Sequence, residues 1–228
     1  MTGGDEPRLT VRDVGIDVID GPTDAIEHVR IDATLYLPER TPAPAVLLAH
    51  GFGGSKESSA EQAREYAGRG YVVLAYSARG FGRSTGQIAL NNPLYEVADA
   101  RQLVDWLATR SEVLRDGPND PRVGVTGASY GGALALSLAG SDPRVDALVP
   151  LITWSDLRQA LLPNYAAGDA PADAVTAAGG VAADPDGVFK RSWAGIFFGA
   201  GLTPGAEAGP RGEALEPGQE PDDVAGGG

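Results

Sequence analysis

The sequence predicts an α/β fold: a doubly wound, mostly parallel sheet entered through an antiparallel hairpin. Three observations carry that prediction. Two N-terminal runs alternate apolar and polar residues, as half-buried strands do. Two later runs, AVLLA and YVVLAY, are continuously apolar, and helical patterns follow them. Residues 122–136 (RVGVTGASYGGALAL) pass from an apolar strand into a small-residue helix within a single residue.

The alternating runs are residues 9–19 (LTVRDVGIDVI) and 28–37 (HVRIDATLYL), and Gly21-Pro22-Thr23-Asp24 between them is turn chemistry. His28 reads as a surface residue at the start of the second strand. Residues 45–49 (AVLLA) form a strand covered on both faces, which delivers His50-Gly51-Phe52-Gly53-Gly54-Ser55-Lys56. A glycine-rich loop after a buried strand lets backbone N–H groups point into a cavity. The spacing of a phosphate-binding P-loop is absent from it. Residues 59–69 place Ala60, Ala63 and Ala67 on one helical face, and Gly70 ends that helix.

The next strand, residues 71–76, leads into Ser77-Ala78-Arg79-Gly80-Phe81-Gly82-Arg83-Ser84-Thr85-Gly86. Arg79 and Arg83 among these glycines suit either an anion site or a loop pinned by arginine hydrogen bonds. Residues 96–109 carry Val97, Ala100, Leu103, Val104 and Leu107 at helical spacing, so this helix packs on the sheet. Residues 116–121 (DGPNDP) read as a loop, and residues 144–151 (RVDALVPL) as the strand after the small-residue helix. These elements make residues 1–151 one core. From Ile152 the periodicity weakens, and residues 152–202 read as the start of a helical cap over the strand ends. Trp154 and Phe197 there either line a pocket or pack as core. Residues 203–228 are rich in glycine, proline and acids and hold no aromatic residue, so disorder is expected.

Composition narrows the function. A chain of 228 residues, 43% hydrophobic, suits a soluble domain with a sizeable core. No apolar run is long enough to span a bilayer, and the acidic start MTGGDEPRLT lacks the layout of a signal peptide. A net charge of −13 argues against a nucleic-acid partner. With no cysteine there are neither disulfides nor thiolate metal sites, which fits the cytoplasm. No ligand cluster calls for a metal or an organic cofactor. The sequence holds two histidines, His28 and His50.

The chemistry concentrates in Gly127-Ala128-Ser129-Tyr130-Gly131. A strand that turns sharply into a helix needs small neighbours, here Gly127 and Gly131, and holds its central residue in a strained conformation. Gly-x-Ser-x-Gly in that setting is a nucleophile elbow, with Ser129 as the nucleophile. A dinucleotide-binding reading fails, because the first parallel strand lacks a Gly-x-Gly-x-x-Gly turn.

The HGFGGSK loop, the ARGFGRSTG loop, the acidic-start helix ending DWL and the elbow GASYGG follow one another in order. Together they resemble the S15 group of α/β-hydrolases, which comprises Xaa-Pro dipeptidyl-peptidase-like and cocaine-esterase-type hydrolases. The resemblance extends over residues 9–162. It implies the α/β-hydrolase fold and acyl transfer from a small ester or a peptide to Ser129. The backbone N–H groups of Tyr130 and Phe52 then form the oxyanion hole. Some members carry a tyrosine hydroxyl at the position of Phe52, where this chain has only the backbone donor. His50 and Gly51 fall in the loop that supplies the second donor, where His50 braces the loop and is not the base. Arg79 falls in a family loop that often reads Asp-x-Arg-Gly and here reads Ser77-Ala78-Arg79-Gly80.

In this family the chain order is serine, then acid, then histidine, yet both histidines here precede Ser129. Acids do follow (Asp156, Asp169, Asp173, Asp184 and Asp186), but none after a recognisable seventh strand. The expectation is therefore the N-terminal part of a hydrolase, C-terminally truncated near Gly201. It would lack the last strands and be inactive as written. The alternative is a non-catalytic protein that associates, with itself or a partner, through an exposed sheet edge.

Overall fold

Strands β1 (Thr10–Ile19) and β2 (His28–Leu37) pair antiparallel along their whole length, from Thr10 opposite Leu37 to Ile19 opposite His28. This is the hairpin the alternation predicts. A computed structural model describes residues 8–21, 28–157, 160 and 195–196. The turn residues Pro22, Thr23 and Asp24 lie outside these, as do most of the expected cap, Phe197 in it, and the whole expected tail.

Next come β3 (Ala45–Ala49), a short 3-10 turn, and α1 (Ala60–Gly68). Gly70, at φ +98°, closes the helix in the left-handed conformation that glycine adopts without strain. Then follow β4 (Val72–Tyr76) and α2 (Glu96–Ala108). The segment expected to be a loop is instead a small ribbon of β5 (Arg115–Gly117) and β6 (Asp120–Pro121). Pro118 and Asn119 make its tight turn, with Asn119 at φ +59°. Residues typical of turns dominate so short a ribbon, which is why its pairing leaves no strand pattern. β7 (Val123–Ala128), α3 (Tyr130–Ser141) and β8 (Val145–Leu151) complete the described core.

The main sheet runs β1-β2-β4-β3-β7-β8. β2 meets β4 antiparallel, and the pairs β4/β3, β3/β7 and β7/β8 are parallel. Because successive residues of a strand face opposite ways, each central strand feeds two cores. Leu35, Leu47, Leu74, Val123 and Val125 join Leu103, Leu107 and Leu138 under α2 and α3. Tyr36, Leu48, Val73 and Ala75 join Ala63 and Ala67 under α1. This demands apolar residues at every position of β4, and all five are buried.

Among the described residues the α1 face is covered only in part. Between α1 and β8 lies an open trough of about 460 Å³, lined by Val46, Tyr66, Tyr71, Thr126, Ala147 and Val149. On β8 itself Leu148, Val149 and Leu151 are exposed. The carbonyl of Leu151 accepts a hydrogen bond from the Ser129 N–H, so it faces β7. Backbone alternation then turns Pro150 toward the open edge, where it has no N–H to offer.

Two buried cations tie the hairpin to the loops at the strand ends. The Lys56 ammonium, 3% exposed, donates to Asp13 of β1 and Asp32 of β2, each at 2.9 Å. Arg79 grips Asp99 of α2 with two bonds of 2.7 Å and reaches Asp20 beyond β1 at 2.6 Å. Both side chains of the Arg79–Asp99 pair are almost wholly buried. Removing one partner strands the other charge away from water. Arg79→Ala is therefore expected to cost roughly 3–5 kcal/mol in urea unfolding, and Arg79→Met with Asp99→Leu to recover much of that loss. A single variant within 1 kcal/mol of the parent would show the pair to be dispensable.

Candidate active site

Ser129 sits between β7 and α3 at φ +52°, ψ −116°, a region that non-glycine residues rarely enter. Its neighbours explain how the chain tolerates this. A Cβ on Gly127 would come within 2.6 Å of the Ala49 carbonyl oxygen, and one on Gly131 would collide with that same carbonyl. The helix therefore passes against the end of β3 with no room for a side chain. Gly132 is packed as tightly, against Thr153 and the Leu151 carbonyl.

The end of β8 grips Ser129 from both sides. Its N–H donates to Leu151 at 2.9 Å, and its carbonyl accepts from the Thr153 hydroxyl at 2.7 Å and from the Ala133 N–H at 3.0 Å. Among the described residues no side chain hydrogen-bonds the Ser129 hydroxyl itself.

The loop after β3 lies directly against this elbow. Gly51 approaches the Ala128 carbonyl, and the His50 carbonyl would meet a Cβ on Gly131. The Phe52 ring stands edge-on to Tyr130 (centroids 5.5 Å apart) and to Phe81 (5.2 Å). The fold thus brings together Ser129, Tyr130 and Phe52, residues 78 positions apart at their extremes. The Lys56 N–H donates to the Ser77 hydroxyl at 3.1 Å, so Ser77 ties this loop to the loop after β4.

His50 is 4% exposed and fully engaged. Nδ1–H donates to the Gly51 carbonyl at 2.7 Å, and Nε2 accepts the Ala78 N–H at 2.9 Å. Burial holds its pKa below the usual histidine value. With Nε2 occupied by a backbone donor the ring cannot take a proton from Ser129, so it braces the loop. His28 is exposed at the start of β2. Arg79 is buried against the carboxylates of Asp99 and Asp20, so it is not offered to an external anion, whereas Arg83 donates to Asp32 through Nε at 3.2 Å and is otherwise largely exposed. Trp154 is half-buried against the main core. Among the described residues no three acidic or histidine side chains are grouped to hold a metal ion, and no helix is long and apolar enough to cross a membrane.

Three side chains with no motif of their own also converge here: Thr153, Asn91 and Glu96. The Glu96 carboxylate is buried and accepts from the Tyr130 hydroxyl at 3.2 Å. Desolvation raises its pKa above the usual carboxylate range. An acid at a helix start reads in sequence as a response to the helix dipole, which conceals this contact.

The sequence profile of X-Pro dipeptidyl-peptidase (S15 family) matches residues 25–185. The quorum-quenching protein AidA of Acinetobacter baumannii is 32% identical over 131 residues, which is 56% of this chain and 41% of that protein. The uncharacterized protein YcjY of Escherichia coli is 31% identical over 126 residues, 53% of this chain and 40% of its own. The chain thus spans about two fifths of the length of these curated relatives. Among solved structures, the hypothetical protein PA2218 of Pseudomonas aeruginosa superposes with a TM-score of 0.55 at 26% identity, covering 71% of this chain and 48% of that one. The Pyrococcus furiosus esterase Pf2001 shares the fold, with a TM-score of 0.52 at 18% identity over 75% of this chain and 63% of its own.

The committed ring of His50 has a consequence for stability. An unfolded histidine takes up a proton near pH 6.5, whereas folded His50 resists it to lower pH. Below about 6.5 the unfolded state therefore binds more protons, so stability falls as the pH drops through that value and is fully present above it. Unfolding free energies from urea titrations between pH 7.5 and 5.5 should decline by up to about 1.4 kcal/mol per pH unit. In His50→Asn the decline should shrink, and an unchanged slope would show that His50 is not its source.

Proposed function

The chain belongs to the X-Pro dipeptidyl-peptidase (S15) family of hydrolases, and from that premise we propose that Ser129 is the nucleophile of an acyl-transfer centre. The observation that carries the reading is the backbone of Ser129, held at φ +52° between a buried strand and a helix that glycines 127 and 131 allow to pass close by. In this reading Ser129 Oγ attacks the carbonyl carbon of an ester or peptide. The N–H groups of Tyr130 and Phe52 stabilise the oxyanion that forms. The tetrahedral intermediate expels an alcohol or amine, and water then releases the acid from the acyl-serine. Loss of one oxyanion donor in such a centre costs roughly 10²–10³ in rate.

A serine of this kind also needs an imidazole to take its proton. His28 is exposed on the hairpin and His50 is committed to its loop, so neither histidine of this sequence supplies one. The 228 residues alone are therefore expected to turn over esters very weakly. Peptides cut at proline and small esters are the two substrate classes that the family name and the esterase fold neighbour support.

The test supplies the missing base. Added imidazole should raise the rate at which a fluorophosphonate modifies Ser129, as read by peptide mass mapping, and Ser129→Ala should remove that modification. Labelling scattered over other hydroxyls, or none at all, would remove the nucleophile assignment.

A second reading, association with another copy, draws on β8. Parallel sheets are ordinarily buried on both faces, yet among the described residues the trough beside α1 is open and Val149 is 53% exposed on the edge strand. Pro150 interrupts a continued strand ladder, so apolar contact rather than added hydrogen bonding would carry the association. Sedimentation should give a mass that rises with concentration and returns to the monomer in Val149→Glu. A parent chain that is monodisperse and monomeric would end this reading.

A further inference from the structure

We propose that Glu96 and Asn91 are positioning residues for the oxyanion site, acting through Tyr130 to fix the direction of its backbone N–H. The inference rests on the assignment of Ser129 as nucleophile and adds two residues to that centre.

Tyr130 is 2% exposed and is held on both sides of its Cα. On one side its phenol closes a ring of contacts, donating to Glu96 Oε1 at 3.2 Å and accepting the Asn91 N–H at 3.2 Å. On the other, its carbonyl accepts from Asn91 Nδ2 at 2.9 Å. An ordinary residue in the first turn of a helix has no such clamp. Here the clamped residue directly follows Ser129.

The loop that provides the clamp is itself strained. Leu90 and Asn91 lie consecutively at φ +57° and +60°, where asparagine is tolerated and leucine is not favoured. Glu96 holds that loop in place. Its two carboxylate oxygens accept the N–H groups of Ala89 and Asn92, which flank the strained pair, and Oε1 also accepts the phenol. One buried carboxylate thus fixes both the loop that reaches Tyr130 and the ring that the loop reaches. None of these three donors belongs to α2, so helix capping does not account for them. The aromatic stack of Phe52, Phe81 and Tyr130 carries the same constraint to the second proposed donor, because the rings of Phe52 and Tyr130 touch.

The experiment is a double-mutant cycle on imidazole-supported fluorophosphonate labelling of Ser129 in the full chain, with urea midpoints measured in parallel. Glu96→Gln and Tyr130→Phe should each slow labelling on the order of tenfold to a hundredfold. The double variant should be no slower than the slower single one, because both changes break one linkage. Losses that multiply in the double variant would make Glu96 a merely structural residue and overturn the proposal. Labelling at the parent rate in Tyr130→Phe would also overturn it, and that variant decides the matter if Glu96→Gln does not fold. A parent chain that is not labelled at Ser129 would instead remove the nucleophile assignment and this inference with it.

Discussion

The carbonyl of Ala49 faces the bare Cα atoms of Gly127 and Gly131, and much of the molecule follows from that contact. It allows α3 to start against the end of β3 instead of standing a side chain's width away. The chain can then turn from strand to helix at one residue, which forces Ser129 into its unusual conformation. The same closeness sets the loop after β3 beside the elbow, since the His50 carbonyl is the next group that a side chain on Gly131 would strike. One steric constraint thereby couples the proposed nucleophile to the proposed oxyanion loop.

Such proximity has to be held, and polar groups removed from water hold it. Lys56 draws Asp13, Asp32 and the loop after β3 together, while Arg79 draws Asp20 and Asp99 toward the loop after β4. His50 and Ser77 join the two loops to each other through backbone N–H groups. Lys56, Arg79, Asp99, His50 and Ser77 are themselves buried, so the loss of a partner that satisfies one of them is costly. The N-terminal hairpin, far from the elbow in sequence, is in this way part of the frame that fixes the loops.

Among the described residues the sheet ends in an antiparallel strand on one side and a parallel strand on the other. Toward β1 the exposed positions are mostly polar or charged, as suits an edge. Toward β8 the described residues leave apolar side chains and half of one face in contact with water. The curated relatives are more than twice as long as the region they share with this chain, so more polypeptide is available to the sheet in those proteins.

Local pattern was enough to find nearly every strand and helix of the core. The bounds of β2 coincide with its alternating run and those of β3 with its apolar run, and α2 follows the spacing from Val97 to Leu107. The elbow was equally legible, because the need for small residues around a sharp strand-to-helix turn is written in five adjacent positions. The ribbon of β5 and β6 was not, since strands of three and two residues carry no periodicity. Tertiary structure alone decided the roles of Asn91, Glu96, Thr153 and Lys56. A buried acid or amide leaves the same letter in a sequence as an exposed one, and its partner, up to 43 positions away for Lys56, is chosen by the packing of the whole sheet.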